Sequence, residues 1–529
     1  MSESPLSRRS LLGLGLTAGA AATLATTSCN GSGTAEGMAA RTELRIGVQS
    51  LPGTLDANGS VSNSGIQAYH NIYDTLIARD TKAETASFKP GLATKWEQIE
   101  DLVWEFELRD DVTFHDGSPF TAADVAYSMN RVIKKEDPSY ATAYAYLLAN
   151  ITEFTAVDEH TVRATTKRPE PLLEHLLSDP NSGISAKKYT TEVGLDAASN
   201  KPVATGPYQV VEYTPDVSLI LEAVPDHWSG KPPYTKITYL SIPEIASRIT
   251  ALKNDEVDFI TNIPPDQETL LAGDQRIKLV GGVLELYHLY RLNMSNPALT
   301  DPKLRAAMDY AIDRDAIVSS IWNGKAEAAT SYQFDSYADA LKFPDRKDIG
   351  FDPERAKQLV GESGYAGEVI EIYNDTNYYT YADLVAQAVV DMWADVGVTA
   401  KLIQVDDIPD DDPGLEIRTW SNPLYYPDPM GMIERHWAPE GEAANVKHFV
   451  PTEAYTDAFN RMRYGQDEAE RKTALGEIFD FYRAQTPFIY LFKPYESLGM
   501  RANIDYIQSP NLRPYCLSFR NGDVAETST

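Results

Sequence analysis

The chain has 529 residues, too many for one hydrophobic core, so about two or three domains are expected, and its 43% hydrophobic residues suffice to fill them. A formal net charge of -30, from 77 acidic against 47 basic side chains, repels polyanions and argues against nucleic acid as a partner. The only cysteines are Cys29 and Cys516, which excludes a disulfide framework and a cysteine metal cluster.

Residues 1–29 read as an export segment. Ser7-Arg8-Arg9-Ser10-Leu11-Leu12 opens it, a mildly apolar run reaches Ala25, and small residues precede Cys29. The run is too short to span a membrane. The paired arginines are similar to a twin-arginine export start, and a chance pair in a general secretory leader reads the same way. Cys29 after Thr26-Thr27-Ser28 resembles a lipobox, in which the cysteine becomes the lipid-carrying first residue of the mature chain. Thr26 departs from the larger apolar residue usual there, and an incidental cysteine in a cleaved peptide is the alternative. Residues 30–40, rich in small side chains, read as a tether.

Alternation over Leu44–Val48 predicts a first strand, broken by Pro52-Gly53. Ile66, Tyr69, Ile72, Tyr73 and Leu76 recur at helical spacing and predict a helix over Gly65–Ile77. Strands are expected over Leu92–Trp96 and Val103–Leu108, followed by a tight turn at Asp116-Gly117. Thr121 with Asp124 predicts a capped helix through Val132, in which Asp124 serves the helix end. Gly206-Pro207-Tyr208 reads as a turn into a strand over Gln209–Tyr213. Pro302–Ile312 reads as a helix burying Leu304, Met308, Ala311 and Ile312, with Arg305 and Arg314 solvated or ion-paired rather than ligand-reading. Leu384–Trp393 reads as an amphipathic helix.

The stretch Thr419–Trp437, TWSNPLYYPDPMGMIERHW, concentrates aromatic rings and prolines and predicts a stiff loop. It is either a ligand wall or a plug for the edge of a core. No nucleophile elbow, zinc-protease motif or phosphate loop is present, Gly324-Lys325 lacking the preceding glycine, and the eight histidines show no metal-ligand spacing. No catalytic residue, metal or cofactor is therefore expected. A carboxylate pair assembled from distant positions keeps an exported hydrolase as the alternative of another class.

Several phrases stand together in order: Asn71-Ile72-Tyr73-Asp74-Thr75-Leu76, Val112-Thr113-Phe114-His115-Asp116-Gly117, Ala204-Thr205-Gly206-Pro207-Tyr208 and Arg305-Ala306-Ala307-Met308-Asp309-Tyr310-Ala311-Ile312-Asp313-Arg314. Together they resemble the bacterial extracellular solute-binding proteins of family 5, the peptide and nickel importers, over residues 41–520. The resemblance implies an α/β, two-lobed periplasmic-binding-protein type II fold with an extra inserted subdomain (cluster C). Lobe I would comprise 41–74, 200–285 and 487–524, the insert 75–199, and lobe II 290–485, with crossovers at Tyr287–Asn293 and Thr486–Phe492. It further implies capture of a small-molecule or peptide ligand by hinge closure and its delivery to ABC transporter permease subunits. The protein would be a monomer, periplasmic or at the cell surface, lipid-anchored to the outer face of the cytoplasmic membrane.

Candidate ligand residues under this resemblance are Asn63, Ser64, Tyr144, Trp420, Ser421, Asn422, Tyr425, Asp428 and Tyr490, with Tyr140, Tyr378, Tyr379 and Tyr381 as further aromatic supply. Peptide-binding members typically place an aspartate for the peptide's ammonium just before the Tyr-Pro-Asp-Pro phrase, where this chain has Tyr425. Either another carboxylate substitutes, Asp428 being one possibility and loop capping its other reading, or the ligand has no amine there. The ligand is thus a peptide or peptide-like compound, or else an oligosaccharide, opine-like or amino-acid conjugate. Nickel would have to arrive already chelated. The acidic run Asp406, Asp407, Asp410, Asp411 and Asp412 either attracts a cation or is a solvated loop.

Overall fold

The computed structural model describes residues 42–81, 87–134, 143–375, 379–405, 408, 412, 414–504, 506 and 514–521. The export segment with Cys29, the tether, Tyr140, Tyr378, Asp406, Asp407, Asp410 and Asp411 lie outside the described residues.

Two sheets dominate. Among the described residues the first has seven strands, in the order Ile277–Val283, Tyr495–Arg501, Phe259–Ile260, Glu43–Val48, Lys236–Ser241, Ser218–Ala223 and Tyr208–Thr214. The expected first strand lies at its centre, parallel to both neighbours, and buries Leu44, Ile46 and Val48. The second sheet has six strands, in the order Glu327–Ala328, Phe488–Lys493, Leu286–Leu292, Ile417–Pro423, Ile370–Asp375 and Ala400–Val405. The expected crossover runs prove to be strands of this sheet, paired antiparallel to each other. The chain instead passes from the first sheet to the second at Leu284–Glu285 and returns through the single residue Pro494. The two passages are tied by the Leu284 N–H donating to the Pro494 carbonyl at 2.9 Å.

A four-stranded antiparallel sheet, Ala93–Glu100, Val103–Leu108, Thr161–Thr166 and Ile151–Ala156, carries the helix Ala122–Ile133. That helix opens with the expected capping box, the Thr121 N–H donating to Asp124 Oδ2 at 3.0 Å. Its core runs without a break into that of the helices beside the second sheet. Across this junction Arg463 is wholly buried between Glu170 and Glu434, each 2.6 Å away.

Some elements depart from expectation. The first helix is Asn63–Ile72, ending before Ile77. Gly206 explains the stop: its N–H meets the Ile72 carbonyl at 3.0 Å, and a Cβ there would stand 2.4 Å from that carbonyl, so the chain presses close only at glycine. Gly117, at φ +80, supplies the turn after Asp116. Thr419–Trp437 is not a loop throughout. Its first residues belong to the strand Ile417–Pro423 and its last form the helix Met430–Trp437, leaving only 424–429 irregular. Prolines restrict themselves and the residue before, and Pro429 sits at the helix start, where a missing N–H is harmless. Arg314 is ion-paired with Asp309 as expected. Arg305 is instead buried and donates to backbone carbonyls, including that of Gln485 at 2.8 Å.

Candidate functional site

Two adjoining cavities lie where the crossovers bring the sheets together, sharing Asn63 and Tyr379. The larger encloses about 280 Å³. One wall is Ser60–Asn63, fixed where Ser62 caps the first helix by accepting from the Gly65 N–H at 3.0 Å. The opposite wall is the strand Ile417–Pro423 with Tyr425 and Arg435.

Alternation along that strand puts Arg418, Trp420 and Asn422 on one face, and the antiparallel register sets Arg291 opposite Arg418. Like charges facing each other repel. The Trp420 indole relieves this: Arg418 lies 4.0 Å from the ring centroid, Arg291 5.4 Å and Arg435 5.7 Å, all within range of the ring's negative face. Glu442 sits among them, 3.4 Å from Arg291 and 3.0 Å from Arg435. The Trp420 N–H donates to His436 Nε2 at 3.2 Å. Burial, helped by Arg435, pushes that imidazole down to about 4, so it accepts as a neutral ring. Two guanidinia and one carboxylate, Asp375, line this cavity among the described residues, an arrangement suited to an anionic group.

The smaller cavity, about 80 Å³, lies at the crossovers. Asn63, Ser64, His288, Trp322, Tyr379 and Glu496 are among its walls. Tyr379 also donates to Ser421 Oγ at 3.0 Å, tying the two cavities together.

Of the candidates from sequence, Asn63, Trp420, Ser421 and Tyr425 line the larger cavity and Asn63 and Ser64 the smaller. The other four lie elsewhere. Tyr144 is fully buried, its hydroxyl donating to the Leu176 carbonyl at 2.7 Å. Asn422 donates to the Tyr490 hydroxyl at 2.9 Å, and Tyr490 stacks on Tyr287 at 4.5 Å. Asp428 accepts from the Met430 N–H at 2.9 Å and pairs with Arg471 at 2.7 Å, the contacts its loop-capping reading expects, and it lines neither cavity. At Tyr425 itself the hydroxyl accepts from Arg435. Arg418, Arg435, His288, Trp322 and Glu496 were not anticipated as lining residues. Arg418 alone left a signal, standing two positions before Trp420 on one strand face.

Two sheets joined by adjacent crossovers leave the two cavities at the join. The chain belongs to the bacterial extracellular solute-binding proteins, family 5, whose family model matches residues 87–443. It is 28% identical over 358 residues to the glutathione-binding protein GsiB of Escherichia coli K12, the alignment spanning 66% of each chain. The DppA periplasmic binding protein of Helicobacter pylori, solved with the peptide STSA, superposes with a TM-score of 0.81 at 22% identity, covering 91% of this chain and 98% of that one. The binding protein AgaA of A. tumefacien R10, solved with agropinic acid, gives 0.79 at 22% identity, covering 89% and 96%. At such identities these structures establish the shared type II periplasmic-binding-protein fold.

Proposed function

We propose that the chain is the solute-capturing component of an ABC importer, holding a small peptide or peptide-like solute between its two sheets and handing it to membrane permeases. The observation that carries this reading is the pair of joined cavities at the crossovers, walled by the first helix on one side and by the second sheet on the other. Capture by closure needs no covalent chemistry. A bound solute stabilises the folded state by mass action, about 2.7 kcal/mol at a hundredfold excess over Kd. A thermal-shift screen of trialanine, glutathione and agropinic acid should therefore give a rise in Tm with at least one. Unchanged melting with all three and no co-purifying solute in native mass spectrometry sinks the reading, and product released from a bound solute makes the protein an enzyme.

A non-peptide acid is the second reading, favoured by Arg418 and Arg435 lining the larger cavity beside Tyr425. We further propose that Cys29 carries a lipid that tethers the protein outside the cytoplasmic membrane. The lipobox-like sequence supports this. Cys29→Ala is expected to move the protein from the membrane fraction to the soluble one, and unchanged membrane association rejects the anchor.

A further inference from the structure

We infer that the smaller cavity is the subsite for a cationic nitrogen of the captured solute, an ammonium or guanidinium, with Glu496 as its counter-charge. This rests on the reading that solute lies in the cleft.

Glu496 is the second residue after the Pro494 crossover and pairs with Gly282 of the neighbouring strand. It is only 6% exposed and lines the cavity. Its polar contact is the backbone N–H of Asn262, and among the described residues no lysine, arginine or histidine pairs with it. Nearby cations are engaged elsewhere: Lys493 by Glu327 at 2.6 Å and Asp335 at 2.9 Å, and Lys325 by Glu268. A buried carboxylate without a counter-ion is costly, and among the described residues no guanidinium or ammonium lines the cavity to relieve it.

The remaining walls suit the same guest. Tyr379 and Trp322 present aromatic surface, which attracts cations, whereas the Tyr495 ring already carries the Lys325 ammonium at 4.8 Å. His288 contributes a buried Nε2 with no hydrogen-bond partner. Burial pushes this imidazole down to about 3, so it stays neutral and does not repel a cation. The adjoining cavity, with Arg418 and Arg435, takes the opposite charge, so the cleft is polar end to end and orients a zwitterion.

Burial pushes the Glu496 carboxyl up to about 8 against the opposing Asn262 N–H. The empty site therefore holds a proton at neutral pH, and a cation entering releases that proton to solvent. The titratable groups lining the cavity with it are His288, Tyr379, Tyr495 and Tyr515.

The test compares trialanine and glutathione with their N-acetyl derivatives by calorimetry, on the wild-type chain and on Glu496→Gln, which keeps the side-chain shape. The free amines should bind the wild type about tenfold more tightly than the acetylated forms, and Glu496→Gln should lose about tenfold in affinity for the free amines. Wild-type affinity should rise about tenfold from about pH 6 to 7.5, where an α-amine is still largely protonated, while Glu496→Gln stays flat. Equal binding of acetylated and free forms by the wild type, or undiminished binding by Glu496→Gln, overturns the subsite. Should agropinic acid alone bind, the capture reading stands and the subsite falls. If none of these solutes binds and none co-purifies in native mass spectrometry, the capture reading fails and takes the subsite with it.

Discussion

Arg463→Ala lowers the free energy of unfolding by about 3–5 kcal/mol, the usual result of removing one partner from a buried ion cluster. Arg463 meets Glu170 with two donors, at 2.6 and 2.7 Å, and Glu434 with a third at 2.6 Å. Neither carboxylate has water to turn to, and what remains for them is neutral: Asn150 donates to Glu170 at 2.9 Å and Tyr426 to Glu434 at 3.0 Å. Burial pushes Glu434 up to about 7 even with Arg463 beside it. Without the guanidinium the Glu434 carboxyl binds its proton still more strongly in the folded state than in the unfolded. The variant's defect should therefore be largest near pH 8 and shrink toward pH 5, where protonation removes the buried charge. Urea midpoints at the two pH values measure this, and Arg463→Met combined with Glu170→Gln and Glu434→Gln should recover most of the loss. A defect under about 1 kcal/mol at both pH values would show that the cluster contributes little.

Trp420→Ala weakens capture by about 2–3 kcal/mol, a thirty- to hundredfold loss, as deletion of a central aromatic wall generally does. The indole is both a cavity wall and the surface over which Arg418, Arg291 and Arg435 converge. Its loss leaves Arg291 and Arg418 directly opposed across the strand pair without the ring's negative face between them, so stability falls as well. Trp420→Phe separates the two effects, since it retains a face for the guanidinia and forfeits only the bond to His436. Calorimetry with whichever solute first raises Tm gives the answer. Wild-type affinity in a folded Trp420→Ala protein would remove this wall from the site.

The scaffold was legible where the signal was local. The capping pair Thr121 and Asp124, the alternation of Val103–Leu108 and the glycine turns each depend on residues a few positions apart, and each appears in the structure. Thr419–Trp437 was legible as important but misread in form, because a helix start tolerates proline as readily as a loop does. The cleft itself was only partly legible. Strand periodicity puts Arg418 and Trp420 on one face without saying that this face meets solvent, and nothing near Glu496 in sequence announces that Asn262 and His288 will close around it. Tyr144 illustrates the converse, since an aromatic residue expected at a cleft is as easily consumed by a core.

The return passage through Pro494 bears on how such a molecule would move. One residue separates a strand of the second sheet from a strand of the first, and its own φ is locked by the pyrrolidine ring. Any swing of one sheet against the other must pivot within a residue or two of this point. Glu496 lies two residues from this point, where a rotation displaces atoms least, while Trp420 pairs with Leu289, farther along the second sheet. The carboxylate would therefore hold its guest through the whole stroke, and the travel of the distant wall would decide when the guest is released.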